Sequence, residues 1–129
     1  MNPKQLQRQS RVVWFEIPAS DFERATRFYE QIFAVTLKKQ EMGPQKLAVF
    51  PYEAPAISGC VIAGPNYRPG DTGGVIYLNA DPTLSAVVER VAAAGGKVLV
   101  PRVELPDGMG VFAHVVDTEG NRVGLHATA

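Results

Sequence analysis

Glu16 stands inside an otherwise apolar run, Val12-Val13-Trp14-Phe15-Glu16-Ile17. A carboxylate in that setting is costly to bury unless something satisfies it. It can orient a ligand, act as a general base, or pair with a cation such as His126 or an arginine. Strand alternation puts Trp14 and Glu16 on one face of their segment, Val75, Tyr77 and Asn79 on one face of another, and Gly124 and His126 on one face of a third. His126 offers an imidazole that titrates near neutrality, although a lone histidine near a strand end is more often hydrogen-bonded to backbone or solvent. His114, inside an apolar strand pattern, reads as a satisfied sheet histidine. Cys60 reads as a small buried hydrophobe, since a reactive thiol needs a neighbouring cation.

Two stretches of similar pattern must position these side chains. The first runs from Val12 through Ser20-Asp21 into an amphipathic segment over 22–33. The second runs from Val75 through Asp81-Pro82 into one over 84–94. Apolar residues at Phe22, Ala25, Phe28, Tyr29, Ile32 and Phe33 have the three-four spacing of one buried helix face. Ser20 and Glu23 form an expected capping box for that helix; Asp81 is the expected cap of the second, with Pro82 at its first position. Three short β-type runs follow each helix, over 35–40, 46–51 and 57–63, then 97–103, 110–116 and 122–127. Residues 65–74, with two prolines and three glycines, separate the halves. The expected organisation is a polar tail over 1–11 and a single domain over 12–129, with module one at 12–64 and module two at 75–128.

Composition narrows the function. The 129 residues fit one domain, and thirteen basic against thirteen acidic residues supply no electrostatic drive towards nucleic acid or an anionic membrane. One cysteine forbids an internal disulfide and fits a reducing cytoplasm, the expected location. No apolar run reaches the roughly 20 residues of a membrane span. No nucleotide-binding glycine loop, paired cysteines or serine elbow occurs.

The order of elements, with the phrases Asp21-Phe22-Glu23-Arg24-Ala25-Thr26-Arg27-Phe28-Tyr29, Ala94-Gly95-Gly96-Lys97-Val98 and Asp117-Thr118-Glu119-Gly120-Asn121-Arg122-Val123-Gly124-Leu125, resembles the vicinal oxygen chelate superfamily of glyoxalases, extradiol dioxygenases and fosfomycin and bleomycin resistance proteins. The resemblance implies an α+β fold of two β-α-β-β-β modules forming a curled eight-stranded mixed sheet around a cavity. Its metal-dependent members carry ligands at four matching points. Here those points fall on Trp14, seven residues before Asp21, on Gly59 to Val61, on Val75, six before Asp81, and on Gly124, four after Gly120. Indole, isopropyl and hydrogen offer no lone pair to a divalent cation, so the expectation is no metal and no cofactor.

The ligand register also implies which faces line the cavity. Trp14 and Tyr77 would give apolar or stacking contact, and Glu16, Asn79 and His126 polar orientation. The function expected is metal-independent binding of a small organic molecule, by a homodimer as in related proteins. The alternatives are a lyase or isomerase acting on a carbonyl compound with Glu16 or His126 as base, and an interaction subunit whose cavity is filled by side chains. Pro106 to Gly110 reads either as a mobile lip or as an ordinary tight turn.

Overall fold

The computed structural model describes residues 2–4 and 9–129, so part of the expected polar tail lies outside the described residues. Among the described residues from Glu16 onward, ten elements follow in chain order. They are β1 (Glu16–Pro18), α1 (Phe22–Phe33), β2 (Lys38–Met42), β3 (Gln45–Val49), β4 (Cys60–Ala63), β5 (Tyr77–Asn79), α2 (Leu84–Val91), β6 (Lys97–Glu104), β7 (Val111–Val116) and β8 (Arg122–Ala127). Two four-stranded mixed sheets result, ordered β1-β4-β3-β2 and β5-β8-β7-β6. In each, the strand before the helix pairs in parallel with the last strand of its half, and the other pairings are antiparallel.

Alternation divides each sheet into a core face and an open face. Ile17, Val61 and Ala48 of the first sheet join Leu78, Leu125, Ala113 and Val115 of the second in one core with Phe28, Tyr29 and Ile32 of α1 and Leu84, Val87 and Val91 of α2. Burying side chains of this size is worth roughly 1.5–3 kcal/mol each, which makes this layer the main source of stability. The halves share that core closely: a Cβ at Gly96 in the second half would collide with the Phe28 ring of the first. On the open face, Leu47, Cys60 and Ile62 form a smaller apolar cluster under Val49 and Tyr67.

Several local expectations are corrected. The first strand begins at Glu16 rather than Val12, because its parallel partner β4 meets only Glu16, Ile17 and Pro18, leaving Val12 and Val13 exposed. The cap of α1 is Asp21, whose carboxylate accepts from Arg24 N at 3.0 Å. Ser20 forms no capping box with Glu23, whose carboxylate instead takes Lys39 Nζ at 2.8 Å. Thr83 rather than Asp81 stands at the cap of α2. Asp81 Oδ1 is occupied by the backbone N–H and hydroxyl of Thr128, at 2.8 and 3.1 Å.

The phrase 117–121 turns out to be structural. Asp117, buried, accepts from Tyr29 Oη (2.6 Å), Asn121 Nδ2 (3.0 Å) and the backbone N–H groups of Glu119 (2.8 Å) and Asn121 (2.9 Å). Burial, then the charge of Asp117 and its hydrogen bond, hold the Tyr29 phenol well above its ordinary pKa. Glu119 reaches across to the other half, where it accepts from Ser20 N (2.9 Å), Asp21 N (2.7 Å) and Arg24 Nε (2.7 Å). It thereby supplies the acceptor that the expected capping box lacked, at the positive end of α1.

Candidate functional site

The register of the second sheet places Tyr77 beside Gly124 and His114, and Asn79 beside His126 and Phe112. The neighbouring positions Leu78, Leu125 and Ala113 are in the core, so Tyr77 and His114 belong to the open face. There the Tyr77 ring lies flat over Gly124: a Cβ at that glycine would overlap ring carbons of Tyr77. Glycine is required by this close approach, not by its backbone angles.

Tyr77 is held by more than packing. Its hydroxyl meets His114 Nε2 at 2.6 Å, and Arg122 Nε donates to His114 Nδ1 at 2.9 Å. A guanidinium can only donate, so Nδ1 is the bare nitrogen and the neutral ring carries its hydrogen on Nε2. Nε2–H then donates to the Tyr77 oxygen, which leaves the phenol hydrogen to be given outward. Burial and the Arg122 charge both lower the His114 pKa, so the imidazole is neutral at pH 7. The Tyr77, Phe112 and His114 rings complete the patch with centroid separations of 5.3 to 5.7 Å.

Glu16 occupies the open face of the first sheet, opposite Cys60 in the register. Burial, then the charge of Glu16 and a hydrogen bond to it, raise the Tyr67 pKa, so the Tyr67 hydroxyl is the donor that faces this carboxylate. Burial pushes the Cys60 thiol up to about 11, the Glu16 charge adds to this, and a hydrogen bond with Trp14 opposes it. A thiol so placed is protonated and inert at neutral pH.

The five residues expected to share one cavity do not. Glu16 lines a groove of about 400 Å³ between β1, the connecting segment and β8, together with Arg68, Thr72, Asn121 and Arg122. Asn79 borders a separate cavity of about 320 Å³ beside Phe15, Phe33 and Phe50, and its Oδ1 accepts from Asp81 N at 2.9 Å. Trp14 and Tyr77 line neither. His126 Nε2 donates to the Met109 carbonyl at 2.6 Å; it pins the turn after Leu105 and makes no pair with Glu16. His114, Arg68 and Arg122 are the site residues that sequence reasoning underrated or missed. Alternation along β7 separates His114 from Ala113 and Val115, but its register with Gly124 is a pairing between strands that the sequence does not carry.

The four ligand points of metal-dependent relatives were tested against these contacts. Trp14 and Val75 have no suitable donor, and Gly124 is covered by the Tyr77 ring. Cys60 at the remaining point is a protonated thiol. Among the described residues no three His, Cys, Asp or Glu side chains are grouped so as to hold a metal ion. The residues present therefore do not fit a divalent cation at this register.

Comparison with known proteins places this geometry in a family. Residues 11–125 match the model of the Glyoxalase/Bleomycin resistance protein/Dioxygenase superfamily. The chain belongs to this superfamily. A "Glyoxylase-like domain-containing protein" of Didymella fabae is 30% identical over 109 residues, covering 82% of this chain and 84% of that protein. Glyoxalase I from Zea mays superposes with a TM-score of 0.65 at 21% identity, over 90% of this chain and 45% of that one, so the chain spans less than half of the maize protein. The fosfomycin resistance protein FosX from Listeria monocytogenes gives a TM-score of 0.64 at 18% identity, over 92% and 93% of the two chains. Identities this low speak to the superfamily fold and leave the chemistry to the site. Among the described residues no helix is long and apolar enough to cross a membrane.

Proposed function

We propose that this chain is a metal-independent small-molecule-binding member of the superfamily, working as a homodimer of chains built from modules 12–64 and 75–128. The carrying observation is the Tyr77 ring seated over Gly124 with its hydroxyl bonded to His114. That arrangement puts an aromatic face and an outward hydroxyl donor where a metal-dependent relative would need a ligand side chain. Phe112 extends the aromatic surface, Arg122 supplies charge beside it through His114, and Glu16 lines the groove that Arg122 also lines. Such a mixture suits an organic molecule with one apolar part and one polar part.

The lyase or isomerase alternative needs a free base beside a second catalytic group. Glu16 and His126, whose Nδ1 is left bare when Nε2–H donates to the Met109 carbonyl, line no common pocket, so no base is paired with a second catalytic group and binding is the better supported reading.

Metal loading tests it. The protein is incubated with excess zinc or nickel, desalted, and taken to elemental analysis and thermal melting. Substoichiometric metal and an unchanged melting temperature are expected. About one tightly held ion per chain would overturn the reading.

A further inference from the structure

We infer that the groove between the two sheets takes a small organic carboxylate that also carries a hydroxyl or ammonium donor. This deepens the binding reading above and rests on it. The argument starts from charge. Among the described residues the ion pairs are Arg24 with Glu119, Lys39 with Glu23 and Arg102 with Glu104. Arg68 and Arg122 belong to none of them, yet both line the same groove. Two guanidinium groups against the single carboxylate of Glu16 leave one net positive charge, which one monoanion neutralises.

Arg122 is placed by its own hydrogen bond, and Arg68 by the backbone of the segment that carries it. Arg122 is tied through Nε to His114 Nδ1 at 2.9 Å, so its two terminal nitrogens form the remaining donor edge. Arg68 sits in the connecting segment, and that segment is stapled to the sheet: Gly70 N donates to Asn121 Oδ1 (3.0 Å), while Asn121 Nδ2 donates to the Pro18 carbonyl (2.7 Å). Asn121 is buried, so the staple is shielded from water. A planar guanidinium fork matches the geometry of a carboxylate, and charge-assisted bonds of this kind are roughly twice as strong as neutral ones.

Glu16 sets the second requirement. Among the described residues the Tyr67 phenol is the donor that faces it, and Glu16 lines the groove, so its remaining acceptor capacity is open to a ligand there. A ligand hydroxyl or ammonium near the carboxylate would use that capacity, whereas a dianion would meet Glu16 as a repulsive neighbour. The groove volume of about 400 Å³ lies within the range of small-molecule sites.

Three probes of nearly equal shape decide the matter: mandelate, phenylacetate, which lacks the hydroxyl, and mandelamide, which lacks the charge. Each is titrated into the full-length protein while backbone amide and arginine Nε–H signals are followed by NMR. Mandelate is expected to shift Gly70, Thr72, Asn121 and the Arg122 Nε–H, and to bind roughly tenfold more tightly than mandelamide. Arg68→Gln, at an exposed position, is expected to weaken mandelate about fivefold or more. Glu16→Ala is expected to erase the preference for mandelate over phenylacetate. Equal affinity for mandelamide, an unchanged affinity in Arg68→Gln, shifts confined to other surfaces, or no saturable shift each overturns the carboxylate inference. Mandelamide binding in the groove as well as mandelate would remove that inference yet leave small-molecule binding intact. Stoichiometric zinc would remove the metal-independent reading whatever the groove binds.

Discussion

Replacing Gly124 by alanine tests whether Tyr77 truly fills the position above it. The added Cβ would overlap the ring, and because Tyr77 is 49% exposed the ring can escape only by swinging outward. That movement breaks the 2.6 Å bond to His114, worth about 0.5–1.5 kcal/mol. It also loses edge contacts with Phe112 and His114, worth about 0.5–1.5 kcal/mol per aromatic pair. Against this, alanine restricts the unfolded chain and returns about 0.4–1 kcal/mol, because the Gly124 backbone is not in the left-handed region. Gly124→Ala alone should therefore cost about 0.5–4 kcal/mol. In a Tyr77→Ala background the three atoms nearest the added Cβ are gone, and the same change should be neutral or slightly stabilising. Urea denaturation of the wild type, both single variants and the double variant measures the coupling, expected at about 1–3 kcal/mol. A coupling below about 0.5 kcal/mol would mean that the ring does not rest on Gly124, and the case against a ligand side chain there would fail.

Asp117→Ala removes the acceptor from four hydrogen bonds in a buried setting, and should cost about 3–5 kcal/mol, or roughly 10–20 °C in melting temperature for a chain of this size; thermal melts showing a loss under about 1 kcal/mol would refute the shared-acceptor account. Burial alone raises the Glu119 pKa, but hydrogen bonds from Arg24, the Asp21 N–H and Thr118, with the Arg24 charge, outweigh it and leave the group lowered. The unfolded chain then binds the proton more readily, so this stability is complete above the ordinary carboxylate range and is lost as pH falls through the folded value. Melting curves between about pH 6 and pH 3 should fall less steeply in Glu119→Gln than in the wild type, and parallel curves would refute it.

The sequence exposed those parts of the fold that local periodicity determines. The spacing from Phe22 to Phe33 marks α1 to the residue, since the buried stripe and the helix coincide. The last three strands were read within a residue or so, because their alternation faces a core on one side only. The start of β1 was misread, since Val12 and Val13 are apolar but find no partner across β4, and pairing is a non-local property. The caps failed for the same reason: Ser20 and Asp21 give their N–H groups to a carboxylate in the other half. In the site, alternation separated Glu16 and Tyr77 from Phe15 and Ile17. It could not show the groove, whose walls come from β1, the connecting segment and β8.

The cross-half position of Glu119 also bears on the order of events during synthesis. The helix entry at Ser20 and Asp21 waits for an acceptor 99 and 98 positions later, and Tyr29 waits for one 88 positions later. When the first half leaves the ribosome, α1 has its own Asp21 cap, but the Ser20 and Asp21 N–H groups and the Tyr29 phenol are without their acceptors. Although the halves repeat one pattern, the first cannot finish folding as a free-standing piece, and closure is deferred until nearly all of the described chain has been made.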